Sequence, residues 1–255
     1  MTENIEITND YFLERSLRIT QPAKGYRAGI DAVLLGAAAG AKGNVKNIAE
    51  LGAGVGVASL SALWRLKPNI INALAIEKDE RYFGLLQQNI TQNGFENIVA
   101  QNIDGLKPNK EIENKFDLVI SNPPFFDDNT TIRDPHMARQ SAYIIGQPLE
   151  KWIIAMLRLC HAKGDILVIH RADRMTDILN ALKNRAGDIR VLPIHPKTTQ
   201  NANRIIVRAK KASKAPTQIL PSLYLRDIEN DGVYLPEIDG LCRGENLEVF
   251  EGLFK

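Results

Sequence analysis

Glu50-Leu51-Gly52-Ala53-Gly54-Val55-Gly56 closes the apolar run Asn47 to Leu51 and leads into Val57, Leu60, Leu63 and Trp64 at helical spacing. A strand, a glycine-rich turn and a helix in that order form the junction where open α/β sheets bind ligands, beyond the carboxyl ends of their strands. Glycine suits such a turn because the backbone can bend sharply and approach a ligand with no β-carbon in the way. Downstream, short apolar runs alternate with amphipathic stretches. Strands are predicted at 71–76, 97–103, 116–121, 166–170 and 189–195, with a last one at 203–210 that can run antiparallel. Helices are predicted after Asp79, with Phe83, Leu86 and Ile90 on one face and Asn93-Gly94 as the stop, then at 149–161 and 175–186. This alternation predicts an α/β fold, a doubly wound and mostly parallel sheet of about seven strands.

The predicted domain spans residues 45–215. Before it lies a short N-terminal extension, 1–44, whose Ala- and Leu-rich helix Ala32 to Ala39 has Asp31 as its expected N-cap and ends at Gly40 and Gly43. After it comes a tail, 216–255, expected to pack on the domain but without a regular pattern. The 255 residues, 44% of them hydrophobic, suffice for one substantial core and leave little room for a second large domain. Met1 to Asp10 carries Glu3, Glu6 and Asp10 in place of the basic start of a secretory signal. The longest uncharged apolar stretch, Ala32 to Ala41, is about half of what a bilayer-spanning helix needs. Two cysteines, Cys160 and Cys242, are too few for a disulfide framework, and the four histidines do not join them at metal-ligand spacing. A reduced, metal-free, cytoplasmic protein is expected. The net charge of +2 is small, yet Lys197, Arg204, Arg208, Lys210, Lys211 and Lys214 follow one another with no acid between them. That run is either a solvated strand and loop or a contact for RNA phosphates.

Glu77 closes the second predicted strand, where an acid can accept both hydroxyl hydrogens of a ribose. Glycine loop and acid together are shared by dinucleotide enzymes and by enzymes that use S-adenosylmethionine. A dinucleotide fingerprint wants Gly or Ala at position 57, where strand and helix pack beside a pyrophosphate; here Val57 stands there and the third glycine comes one residue earlier. S-adenosylmethionine has no phosphate to seat, so the requirement lapses. Glu50, Gly52, Gly54 and Glu77 are the cofactor candidates, and Asp104, after the third strand, is placed either to reach an adenine amino group or simply to make the Asp104-Gly105 turn.

The fourth strand runs into Asn122-Pro123-Pro124-Phe125, whose prolines end any ladder. Each proline keeps the residue before it extended, which aims the Asn122 side-chain oxygen and the Pro123 carbonyl the same way. Two such acceptors suit an amine whose lone pair is tied into a π-system: they hold its N–H groups and meet the positive charge that grows on nitrogen during methyl transfer. Phe125 offers a face on which a base can stack. The alternative is a proline-rich turn with Phe125 and Phe126 covering the core.

At these residues the chain resembles the Rossmann-fold amino-methyltransferases that carry an Asn-Pro-Pro-aromatic turn. Within them it is most similar to the bacterial tRNA adenine-37 N6-methyltransferases acting on a valine tRNA. The resemblance includes Arg27-Ala28-Gly29-Ile30-Asp31-Ala32-Val33-Leu34-Leu35-Gly36 and Arg204-Ile205-Ile206-Val207-Arg208-Ala209-Lys210-Lys211. It implies S-adenosylmethionine as cofactor, held by Gly52, Gly54 and Glu77 with Asp104 near its adenine. It also implies Asn122 and Pro123 at the amine, Phe125 on the base, and a tRNA partner. Arg27 and Asp31 are expected to border the cofactor's methionine end or the target pocket, and Arg208, Lys210 and Lys211 to contact RNA. Protein-glutamine and rRNA guanine-N2 methyltransferases share the turn, but the first usually carries a large helical domain in front and a Tyr after the prolines, and the second a duplicated domain. A non-catalytic RNA-binding module is opposed by the intact Asn122, and a dehydrogenase by Val57.

Overall fold

The computed structural model describes residues 6–66, 72–125, 149–228 and 232–255; Ile71 and Phe126 lie outside them. The chain opens with an antiparallel hairpin, β1 (Ile7–Phe12) and β2 (Leu17–Pro22), followed by helix α1 (Ile30–Gly40). Then come β3 (Asn47–Leu51), α2 (Val57–Leu66), β4 (Asn72–Ile76), α3 (Glu80–Gln92), β5 (Ile98–Gln101) and β6 (Phe116–Ser121). The second half has α4 (Leu149–Leu159), β7 (Cys160–Arg171), α5 (Met175–Leu182), β8 (Ala186–His195) and β9 (Arg204–Lys211). Two short strands, β10 (Gln218–Ile219) and β11 (Leu223–Tyr224), and helices α6 (Pro236–Arg243) and α7 (Glu248–Glu251) complete the described chain.

Strands β3 to β9 form the expected seven in the order β8-β9-β7-β6-β3-β4-β5, and only β9 runs antiparallel to its neighbours. The chain leaves β3 toward β4 and β5, then returns to the other side of β3 as β6. That reversal opens a crevice between the carboxyl ends of β3 and β6, the place where doubly wound sheets bind ligands. One sheet face is covered by α1, α2 and α3, the other by α4 and α5, and the apolar cores lie between. Helix α1 lies close on α2 because Gly36 has no side chain: a β-carbon there would sit 2.7 Å from Ser61 Cβ.

Three expectations change. The N-terminal extension, expected to hold only a helix, also holds the β1–β2 hairpin. Helix α1 starts one turn-position before Asp31, with Gly29 as its N-cap and no side-chain cap, so Asp31 sits in the first turn instead of capping it. The tail is regular in part, adding β10 and β11 in parallel to β8 and burying Ile238, Leu241, Phe250 and Leu253. Arg65 of α2 holds it there by donating to the carbonyls of Leu241, Gly244 and Glu245 at 2.8–2.9 Å.

Candidate active site

The glycine loop is pinned from below. The N–H groups of Gly52 and Ala53 both donate to the Ile76 carbonyl at 2.9 Å, tying the turn to the end of β4. Gly52 and Gly54 take φ of +73° and +55°, a region that penalises side chains. A β-carbon on Gly52 would lie 2.8 Å from the Trp152 ring, and one on Gly54 would lie 3.7 Å from the Tyr26 ring. Glu77 accepts from the Gly54 N–H and the Asp79 N–H, both at 2.8 Å, and burial raises its carboxyl above the usual range. Glu50 lies deeper, 3% exposed, and accepts the N–H and hydroxyl of Ser59. Burial pushes it up to about 8, Ser59 opposes the shift and the Glu77 charge adds to it. Asp104 pairs with Lys78 at 3.0 Å and accepts the Leu106 N–H at 3.2 Å, so it shapes the turn after β5.

Across the crevice, Ser121 at the end of β6 donates to the Leu51 carbonyl and accepts from Trp152 Nε1, each at 2.6 Å. The two bonds lock the Asn122 turn, the glycine loop and α4 together. Asn122 is half-buried, Pro123 buried, and Asn122 Nδ2 points to the Tyr26 hydroxyl at 3.5 Å. Tyr26 thus stands between the glycine loop and the Asn-Pro-Pro-Phe turn. Its own position is set by the hairpin, by an edge-on contact with the Tyr82 ring at 6.4 Å and by the Tyr82 hydroxyl at its carbonyl. Phe125 meets His170 edge-on, ring centroids 5.1 Å apart, and the Arg204 guanidinium lies over its ring at 4.6 Å.

The structure brings Gly52, Gly54, Glu77, Asn122, Pro123 and Phe125 to one end of the sheet and moves other expected residues away. Arg27 turns back to the hairpin, donating to Thr8, to the Pro22 carbonyl and, at 2.7 Å, to Asp10. It builds the N-terminal segment and does not border the crevice. Arg208 is 2% exposed and bound to Asp165 at 2.7 Å and Asp188 at 2.6 Å, so it is a buried structural cation with no surface for RNA. Lys210 and Lys211 end β9 beside the amino-terminal start of β7, roughly 20 Å along the strand from Arg204. Lys211 is also committed to Asn114 and to the Cys160 carbonyl, both at 2.7 Å. Arg204, at the opposite end of β9, is on the crevice side.

Residues 32–141 match the methyltransferase small domain. A tRNA1(Val) (adenine(37)-N6)-methyltransferase of Porphyromonas gingivalis W83 is 30% identical over 199 residues, covering 72% of this chain and 76% of that protein. The chain belongs to the tRNA1(Val) (adenine(37)-N6)-methyltransferase family. A member from Bacteroides thetaiotaomicron is 27% identical, with 71% of this chain and 73% of that protein covered. Among solved structures, a predicted O-methyltransferase of Agrobacterium tumefaciens superposes with a TM-score of 0.69 at 23% identity, over 85% of this chain and 97% of the other. TYW2 of M. jannaschii, in complex with AdoMet, superposes with a TM-score of 0.58 at 17% identity, over 83% of this chain and 88% of the other. The fold is that of the class I S-adenosylmethionine-dependent methyltransferases, and the protein is a methyltransferase.

The site residues fit that cofactor. Gly54, at φ +55° and with the Tyr26 ring no closer than 3.7 Å to its β-carbon position, leaves backbone room beside the crevice, and the Glu77 carboxyl, its pKa raised by burial, stands at the end of β4 where ribose hydroxyls would meet it. No helix among the described residues is long and apolar enough to cross a membrane. Tyr26, Trp152 and Ser121 escaped the sequence reading. Only Tyr26, next to the Arg27-to-Gly36 segment, carried a signal, because the other two matter through contacts between distant elements.

Proposed function

We propose that this methyltransferase places a methyl group on N6 of an adenine in tRNA, adenine 37 beside the anticodon of a valine tRNA. The single observation that carries the reading is Asn122, directly after β6 at the sheet's reversal point, with its Nδ2 toward the Tyr26 hydroxyl, which leaves Oδ1 as its acceptor. S-adenosylmethionine, when bound, supplies an electrophilic methyl on a sulfonium sulfur. Gly52 and Gly54 give its backbone cradle, Glu77 takes its ribose, and Asp104 faces its adenine.

Asn122 Oδ1 and the Pro123 carbonyl accept the two N–H bonds of the target amine, and the charge that develops on nitrogen then meets dipoles already in place. Phe125 stacks on the target base, a contact worth about 1–3 kcal/mol. Trp152 and Ser121 keep the acceptor turn and the glycine loop in register, so that amine and donor approach in line. An unpaired loop base is the cheapest to recruit, because it has the fewest stacking partners to leave. A tRNA substrate supports a cytoplasmic activity.

The test is labelled S-adenosylmethionine with total RNA and, separately, with total protein, followed by digestion and mapping of the modified nucleoside or residue. Label as N6-methyladenosine at position 37 is the expected result. Label on protein glutamine or on guanine N2 would overturn the reading. Asn122→Ala should lower kcat by about 10²–10³-fold, the cost of removing one preorganised acceptor or donor. Cofactor binding, read by calorimetry, should stay intact, since the loss falls on the transition state.

A further inference from the structure

We propose that Asp31 and Arg204 form a clamp that presents Phe125 as a one-sided stacking platform for the target base. Arg204 Cζ lies 4.6 Å from the Phe125 ring centroid, and Arg204 Nε donates to Asp31 Oδ2 at 3.0 Å. A base between guanidinium and ring would need a second van der Waals gap of about 3.5–4.0 Å, so Arg204 closes that face. His170 of β7 meets the ring edge-on at 5.1 Å with an interplanar angle of 82°. Among the described residues, Arg204 and His170 fix one face and one edge of the ring, and the proposal puts the base on the opposite face.

Asp31 lies in the first turn of α1 and Arg204 opens β9, so the pair bridges two elements that flank the turn. Both side chains are mostly covered, 20% and 26% exposed. The carboxylate directs and neutralises Arg204, which also donates to the Asn203 carbonyl at 3.1 Å. An arginine so held is a planar wall for an aromatic ring more than a free cation for phosphate.

The inference rests on the target base stacking on Phe125. The experiment measures kcat, KM for a tRNA transcript, and calorimetric cofactor affinity for wild type, R204A, R204K, D31N, F125L and the R204A/F125L double variant. R204A should raise the tRNA KM about three- to tenfold, the scale of a cation–π contact, with kcat and cofactor affinity unchanged. R204K should share the loss, because an ammonium cannot stack as a plane. D31N should show part of it. In the F125L background the further change from R204A should vanish, since coupled residues are not additive. An equal loss with and without Phe125 would show that Arg204 contacts RNA by itself and would overturn the clamp. A wild-type KM in R204A and R204K would overturn it as well. Full activity in F125L would instead remove the stacking reading, and the clamp with it.

Discussion

His170 is 2% exposed, and neither ring nitrogen meets a hydrogen-bond partner among the described residues. Burial lowers it to about 4, and the charges of Arg174, Arg171 and Arg204 push the same way. A neutral imidazole can pack against Phe125 as an apolar edge. Its protonation must then oppose folding: the unfolded chain, with histidine near 6.5, takes up the proton first. Stability from this group is present above about pH 6.5 and is lost as pH falls through about 4. His170→Phe should flatten the decline of Tm between pH 6.5 and 4; an unchanged profile would show that the loss arises elsewhere. At this scale the sequence was partly legible. Asn122 and Glu77 announce themselves by residue type and by standing at strand ends. Arg208 misleads, because Asp165 and Asp188, which bury it, are 43 and 20 residues away in sequence.

The β1–β2 hairpin shows how elements far apart in sequence build the crevice. Its outer residues alternate only between exposed and half-exposed, so no apolar period marks them as strand. The hairpin is held by amide side chains of α3. Asn89, fully buried, accepts the Thr20 N–H at 2.7 Å and donates to the carbonyls of Thr20 and Val55 at 3.0 and 2.9 Å. Asn93 and Gln92 bond Arg18 in the same way, each at 2.7–2.8 Å. Asn89 thus ties the hairpin, and through it the segment carrying Tyr26, to the glycine loop. Asn89→Ala leaves buried groups unpaired, at about 1–3 kcal/mol for each one left without a partner. The expected outcome is a lower Tm together with weaker S-adenosylmethionine binding in calorimetry. Loss of Tm alone would separate the hairpin from the cofactor site. Boundaries shifted for a similar reason: α4 gives way to β7 at Cys160, earlier than its pattern suggests, because Cys160 pairs with Phe116 across a register shift.

For the molecule as a whole, the C-terminal segment closes the fold. Ile238, Leu241, Phe250 and Leu253 enter the core beneath α1 and α2, at 0–1% exposure. Four such side chains contribute on the order of 6–12 kcal/mol by burial, comparable with the roughly 5–15 kcal/mol of a whole domain. A chain ending at Ala215 should therefore be unfolded or aggregated by circular dichroism and gel filtration. A soluble product with the full-length Tm would show the segment to be an accessory. The sequence by itself determined the alternation of strand and helix and the places of the glycine loop and of the Asn-Pro-Pro-Phe turn, because period, turn chemistry and proline act locally. Only the tertiary structure decided which cations face the crevice, that Tyr26 joins its two walls, and that Arg204 lies on Phe125. Those outcomes depend on strand order and on partners far along the chain, and no local pattern encodes them.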